Sequence, residues 1–327
     1  MHVMNRNYIA ILLFLLVTSC AGIKNISSIP GVEESSCNNQ SNYHYTDKDL
    51  PQPIHELKID TLLTNHFSLQ SLNVANAIGL LDLLQEYQTL KNKYNSRPTL
   101  EGRLELLETA QYIYQKINLS SLEVSSVASE LDCEEKRADQ IAHYLQSRQE
   151  TRQKNLIISS IIVGAVGSIT SVILSNTPSA GNSSSYVSVG TSITEATLGV
   201  LMLLNKKKIY FHHQRNTPAE IWNGALASAT LPPSIWYYLN YKKPEKDFKS
   251  LRDVIVENWQ SFGQVAAHKN NKSKSFHLYF GTGGEYNAVQ LKTRADMYDQ
   301  IGSYITLMKQ DLRKLTSEFE AIVRKRK

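Results

Sequence analysis

The stretch Leu291-Lys-Thr-Arg-Ala-Asp-Met-Tyr298-Asp-Gln-Ile301-Gly-Ser-Tyr-Ile305-Thr-Leu-Met308-Lys-Gln-Asp-Leu312-Arg-Lys-Leu315-Thr-Ser-Glu-Phe319-Glu-Ala-Ile322 carries two interleaved apolar series. Leu291, Tyr298, Ile305, Leu312 and Phe319 recur every seven residues; Ile301, Met308, Leu315 and Ile322 each follow a member of the first series by three. On an α-helix these spacings bring the side chains onto one narrow seam. The pattern predicts one helix over residues 286–325. Its seam packs within the chain, or recruits a protein partner or another copy. Arg294 alone interrupts the seam, where the second series should begin.

The same period runs upstream. From about His55, Leu69, Leu72, Ala77, Leu80, Leu83, Leu84, Tyr87 and Leu90 keep three- and four-residue spacings. Arg97-Pro98 breaks that pattern, and Pro98 suits the first position of a new helix. Leu100, Leu104, Leu107, Tyr114 and Ile117 mark this second amphipathic helix. A third starts near Ser120, carries Val124, Val127, Leu131, Ile141 and Leu145, and reaches Lys154 without a breaker. It can therefore run on as a rod into Leu156. Further along, Pro218 and Pro233 open two short helices, Arg252–Phe262 is a short amphipathic piece, and Phe276–Phe280 alternates like a strand before the Gly281–Gly284 turn. With no other strand signal, the class expected is all-α: long amphipathic helices in a coiled-coil-like bundle around a central Gly/Ser-rich hydrophobic hairpin.

That hairpin is residues 155–208. Ile157–Leu174 holds no charge, a Pro178–Ser185 loop follows, and Tyr186–Leu204 returns with Glu195 as its single charge. Ser160, Gly164 and Ser168 are four apart, as are Gly167 and Ser171, a spacing that lets helices approach closely in lipid. This favours membrane insertion. Against it, Glu195 sits mid-segment, where burial in a bilayer costs at least about 2.5–3.5 kcal/mol. Ser192 and Glu195 also fit a capping box, which shortens the second arm. The basic flanks Arg152, Lys154 and Lys206–Lys208 would sit on the cytoplasmic side of a spanning hairpin. Insertion and burial by protein, including copies of the chain in an oligomer, both remain open.

The N-terminus sets the compartment. Arg6 precedes an apolar run, Tyr8–Val17, which is too short to span a bilayer comfortably and ends in Val17-Thr-Ser-Cys20-Ala21. Aliphatic, small, small, Cys resembles the lipobox of bacterial lipoproteins; the likeness covers residues 1–22 only. It implies a signal peptide over residues 1–19 and acylation of Cys20. It also implies a lipid-anchored place in the bacterial cell envelope, the outer membrane before the inner because Ala21 rather than Asp follows. Residues 20–54, Ser/Asn-rich with Pro51 and Pro53, read as a flexible tether. Then come a helical domain (55–154), the hairpin (155–208), short helices and loops (209–284) and the C-terminal helix (285–327). In an oxidising compartment Cys37 and Cys133 either pair or stay free thiols.

Chemistry is sparsely signalled. The net charge of +5 holds no dense nucleic-acid-like patch, and the Arg324–Lys327 tail suits a solvated helix end. His212 and His213 point about 100° apart if helical and cannot share one metal. Gly281-Thr-Gly-Gly284 lacks the Lys-Ser/Thr of a phosphate loop. No nucleophile elbow, metal set or cofactor motif is present, so the expectation is no catalytic residue, no metal and no cofactor. The aromatic run Trp222–Tyr241 is either a membrane-interface belt or a core beneath short helices. The function expected is a non-enzymatic, membrane-anchored scaffold or interaction protein, with a membrane-perturbing or pore-forming helical hairpin as the alternative.

Overall fold

A computed structural model describes residues 35–38, 42–175, 207–245, 248–265 and 274–324. Side chains of residues 159–160, 162–175 and 274–275 lie outside the description. The described chain is mostly helical: α1 (Thr61–Thr64), α2 (Leu69–Ala77), α3 (Leu81–Ser96), α4 (Leu100–Ser175), α5 (Thr217–Asn223), α6 (Pro233–Asn240), α7 (Leu251–Ser261), α8 (Lys274–Phe280) and α9 (Ala288–Arg324). Two strands, β1 (Lys208–His212) and β2 (Gly283–Asn287), pair antiparallel. The all-α class holds, with this ribbon as its only sheet among the described residues.

Among the described residues, the interface of α4 with α9 is the largest. Leu291, Tyr298, Ile301, Ile305, Met308, Leu312, Leu315, Phe319 and Ile322 are all buried, so the heptad seam is closed inside the chain. It meets Ile113, Ile117, Val124, Val127, Leu131, Ile141 and Leu145 of α4, all within the same core. Phe319 meets Tyr114 and Tyr87 at ring separations of 5.2 and 5.0 Å, joining α9, α4 and α3. Burying such side chains contributes roughly 1.5–3 kcal/mol each.

Several readings are corrected. The pattern from His55 to Leu90 is three helices, not one. Asp60 caps α1 through Leu62 N–H, Ser68 caps α2 through Ser71 N–H, and Gly79 turns the chain before α3 at φ 65°. No break separates residues 117 and 120: α4 is one helix, and Pro98 lies just outside its start. Leu100, Leu104 and Leu107 do not join the core; they stand 76, 58 and 59% exposed. Phe276–Phe280 is helical, because Phe276 and Phe280, one turn apart, both pack on Trp222. The strands lie on either side of it in sequence instead. In β1, Ile209 and Phe211 face inward and Lys208, Tyr210 and His212 outward. Gly283 is required in β2: at φ 109° a Cβ would meet the Phe211 carbonyl oxygen at 2.2 Å. The tether is shorter than 20–54. Tyr43 N–H donates to Ala229, Tyr45 hydroxyl to Leu231, and Ile54 is buried, so residues 43–54 belong to the body. In the aromatic run, Trp236, Tyr237 and Tyr238 are buried, which makes it core rather than belt.

Candidate functional site: a rod and the junction at its base

Leu145 is the last buried residue of α4 among those described, and Gln146, Gln149 and Gln153 still line a groove against Ala288, Val289 and Lys292 at the start of α9. Residues 146–158 are mostly exposed, and the helix continues to Ser175. At 1.5 Å per residue, the helix beyond Leu145 is about 45 Å long. Its first part is a polar neck bearing Arg148, Glu150, Arg152 and Lys154. Arg148 rests over the Tyr144 ring at 5.4 Å, aligning the start of the neck. Ile157, Ile158 and Ile161 then stand 47, 55 and 65% exposed. Ser160, Gly164, Gly167 and Ser168 fall on the helical run at spacings that set them along one side. Cys20, Ser192 and Glu195 lie outside the described residues, as does the second arm of the hairpin up to residue 206. Among the residues whose side chains are described, which leave out 159–160 and 162–175, no helix is long and apolar enough to cross a membrane.

The excursion beyond Leu145 begins and ends on fixed points. Its return, Lys208, enters β1 opposite Asn287. Phe211 at the centre of β1 is fully buried beneath the Arg137 guanidinium of α4, 4.2 Å from its ring centroid. Arg137 is also paired with Glu134 at 2.8 Å, and Arg215 with Glu130 at 2.9 Å, all four side chains being 10–12% exposed. Burial pushes the Glu130 carboxyl up and Arg215 pulls against it. Ser35 donates to Glu134, and Cys37 is bonded to Cys133 with a Cα separation of 5.4 Å. The tether therefore meets α4 on the same stretch of helix that carries these ion pairs.

At the centre of this junction lies Arg294, fully buried on α9. Its Nη1 donates to Tyr279 O at 3.0 Å and Asn216 Oδ1 at 3.3 Å; its Nη2 donates to Tyr298 Oη at 2.8 Å and again to Asn216 Oδ1. No carboxylate forms a salt bridge with it among the described residues. Asn216 is positioned as the N-cap of α5, and its Nδ2 donates to Tyr279 O and Gly281 O, both at 2.9 Å. His213 completes the group, with Nδ1 at 3.0 Å from Gly281 O and Nε2 at 3.0 Å from Tyr286 Oη. The Tyr286 hydroxyl donates to Leu278 O, so a neutral ring fits with Nε2–H donating to Tyr286 Oη and Nδ1 accepting from Asn216 Nδ2 at 3.1 Å. Burial, then Arg294, drives the His213 pKa down to about 2. Burial likewise raises Tyr298 to about 12. Burial thus favours the neutral form of both groups near pH 7. The arrangement suits a rigid polar lock.

Sequence reasoning found the seam and the odd arginine in it but missed the lock, because Asn216 and His213 are remote in sequence and show no motif. The histidine pair divides: His212 is exposed and His213 buried. Among the described residues no group of three or more His, Cys, Asp or Glu is placed to hold a metal. Comparison with protein-family models, with curated proteins and with solved structures finds no match.

Proposed function

We propose that this protein is a non-enzymatic lipoprotein of the bacterial envelope, anchored through acylated Cys20, that uses α4 as a rod to present the apolar 156–204 hairpin to a membrane. The observation that carries this is the unbroken course of α4 from the buried bundle, past Leu145, through a charged neck, to Ser175. The run 157–175 is about 28 Å of helix, close to the roughly 30 Å of a hydrocarbon core. Basic side chains in the neck suit headgroups. Anchor and rod can share one bilayer: Cys20 reaches at most about 60 Å from Cys37, and Ile157 lies about 36 Å along α4 from Cys133. The excess of small residues at 160, 164, 167 and 168 also favours a second reading, in which hairpins of several copies pack together and permeabilise the bilayer.

The lipid anchor is tested by intact-mass analysis of the membrane-extracted protein. Wild type carries acyl mass on a chain beginning at Cys20, and Cys20→Ala carries none and stays unprocessed. An unlipidated wild type with the same N-terminus as the variant refutes the anchor. Dye release from anionic liposomes, abolished by Gly164→Leu, separates the second reading from the first.

A further inference from the structure

We infer that the groove between the neck of α4 and the start of α9 is the seat of this chain's own residues 197–204, which return antiparallel to α4 and make the neck a two-helix stem.

Beyond Leu145 the burial of α4 is uneven. From residue 146 to residue 158 only Gln149, Gln153 and Leu156 are half-buried, and their neighbours are exposed. Spacings of four and three set these three, at about 100° per residue, within about 40° of Ala142, which is buried in the core. They continue the face by which α4 meets α9, but α9 stops short of them. It runs antiparallel to α4, with Phe319 beside Tyr114 and Lys292 paired to Asp139 at 2.9 Å. From that pair α9 extends about 6 Å further, to Ala288, whereas Gln153 and Leu156 lie about 21 and 26 Å along α4. A groove of about 550 Å³ lies between, with Gln149 and Gln153 on one wall and Val289, 74% exposed, on the other.

The occupant follows from where the chain comes back. Lys208 enters β1 opposite Asn287, the residue before α9, so the residues preceding it approach where α9 begins. Continued from there at helical rise, residues 197–204 lie beside Gln149–Leu156. The run Thr197-Leu-Gly-Val-Leu-Met-Leu-Leu204 brings leucines to cover Leu156, Val289 and the methylene stems of the glutamines. Lys206 and Lys207 follow, and Glu150 and Asp296 stand on the rim to meet them. Residues 176–196 are left to turn back from Ser175, ample at up to about 3.5 Å each. In this register Glu195 falls beside Ile158, one turn from Lys154, instead of at the centre of an apolar span. A lone helix as short as the neck is marginal in water, and a partner along the half-buried stripe supplies its packing. The contact does not depend on whether the run beyond it enters a bilayer.

The test places a photoreactive benzophenone side chain at Gln153 of the full chain in mild detergent, with circular dichroism matched to wild type. Irradiation is expected to link it to residues 198–202 of the same chain, about tenfold more than a probe at Thr151, which points the other way. Moving the probe to Gln149 shifts the linked residue by about four toward Lys208, as an antiparallel return requires. Links between two chains, links to detergent or lipid alone, or a yield no higher than at Thr151 overturn the proposal. So does a shift toward Ser192. Cleavage of the Pro178–Ser185 loop in intact membranes, with these links unchanged, removes the membrane reading and leaves this one standing.

Discussion

Arg294 and Tyr298, one turn apart on α9, are joined by a 2.8 Å hydrogen bond from guanidinium to phenol, and both are buried. The guanidinium carbon sits 5.0 Å from the Tyr298 ring, so the same pair is held by its π face. Arg294 thereby places a cation where the seam calls for an aliphatic residue, and spends its donors on Asn216 and Tyr279 across the junction. Replacing it by Leu restores the heptad but removes the guanidinium hydrogen bonds to Asn216 Oδ1, Tyr279 O and Tyr298 Oη, although Tyr279 O keeps Asn216 Nδ2 and Asn216 Oδ1 keeps the Ala219 N–H. Hydrogen bonds from a charged donor contribute about 1.5–3 kcal/mol each, partly offset here by removing a buried charge. Arg294→Leu is expected to lower stability by about 2–4 kcal/mol in denaturant unfolding. An unchanged or higher stability would show that the lock contributes nothing.

His213 makes the fold acid-sensitive. Its pKa falls from about 6.5 in the unfolded chain to about 2 in the fold, so only the unfolded state takes up the proton between these values. Its contribution is intact above pH 6.5 and is lost progressively as pH falls, at about 1.4 kcal/mol per pH unit. Between pH 6.5 and 4.5 wild type should lose about 2.3 kcal/mol more than His213→Gln. Parallel curves for the two proteins would remove His213 from the account.

The Cys37–Cys133 bond closes a loop with a sequence separation of 96. In the chain-entropy model such a closure stabilises by roughly 4–5 kcal/mol. Calorimetry with and without reductant is expected to show a large drop in Tm. Limited proteolysis should then cut first between residues 35 and 42.

Gly283 is a steric requirement of the ribbon. Gly283→Ala drives a methyl into the Phe211 carbonyl and should cost more than about 2 kcal/mol, with earlier hydrogen exchange at Ile209 and Phe211 than elsewhere in the core.

What was legible in the sequence follows from periodicity. The α9 seam could be read because nine side chains repeat with few exceptions, and the exception, Arg294, marked the place where another module docks. The continuity of α4 was half legible: nothing breaks it after Ser120, but Leu100, Leu104 and Leu107 were taken for core when the inward face is Ala110, Ile113 and Ile117. An apolar stripe signals a surface that needs cover without saying whether the same chain supplies it. The ribbon was missed because Ile209 and Phe211 alternate over only five residues beside a basic run, and its partner strand carries two glycines. Phe276–Phe280 misled for the reason short apolar runs usually do, since a single turn of helix and a short strand share a pattern.

Kinking the neck separates the rod from the body. Lys154→Pro lies on an exposed stretch past Gln153, removes one backbone hydrogen bond and bends the helix. Bundle stability should hold within about 0.5 kcal/mol, while protection of the hairpin by membrane falls sharply.

That protection is the most direct test of the central claim. Native membranes are treated with protease from the side that carries the body, and cleavage within Pro178–Ser185 is followed by mass spectrometry. The loop should be spared in intact membranes and cut once detergent is added. Equal cleavage with and without detergent would contradict the proposal that the rod delivers the hairpin into a bilayer.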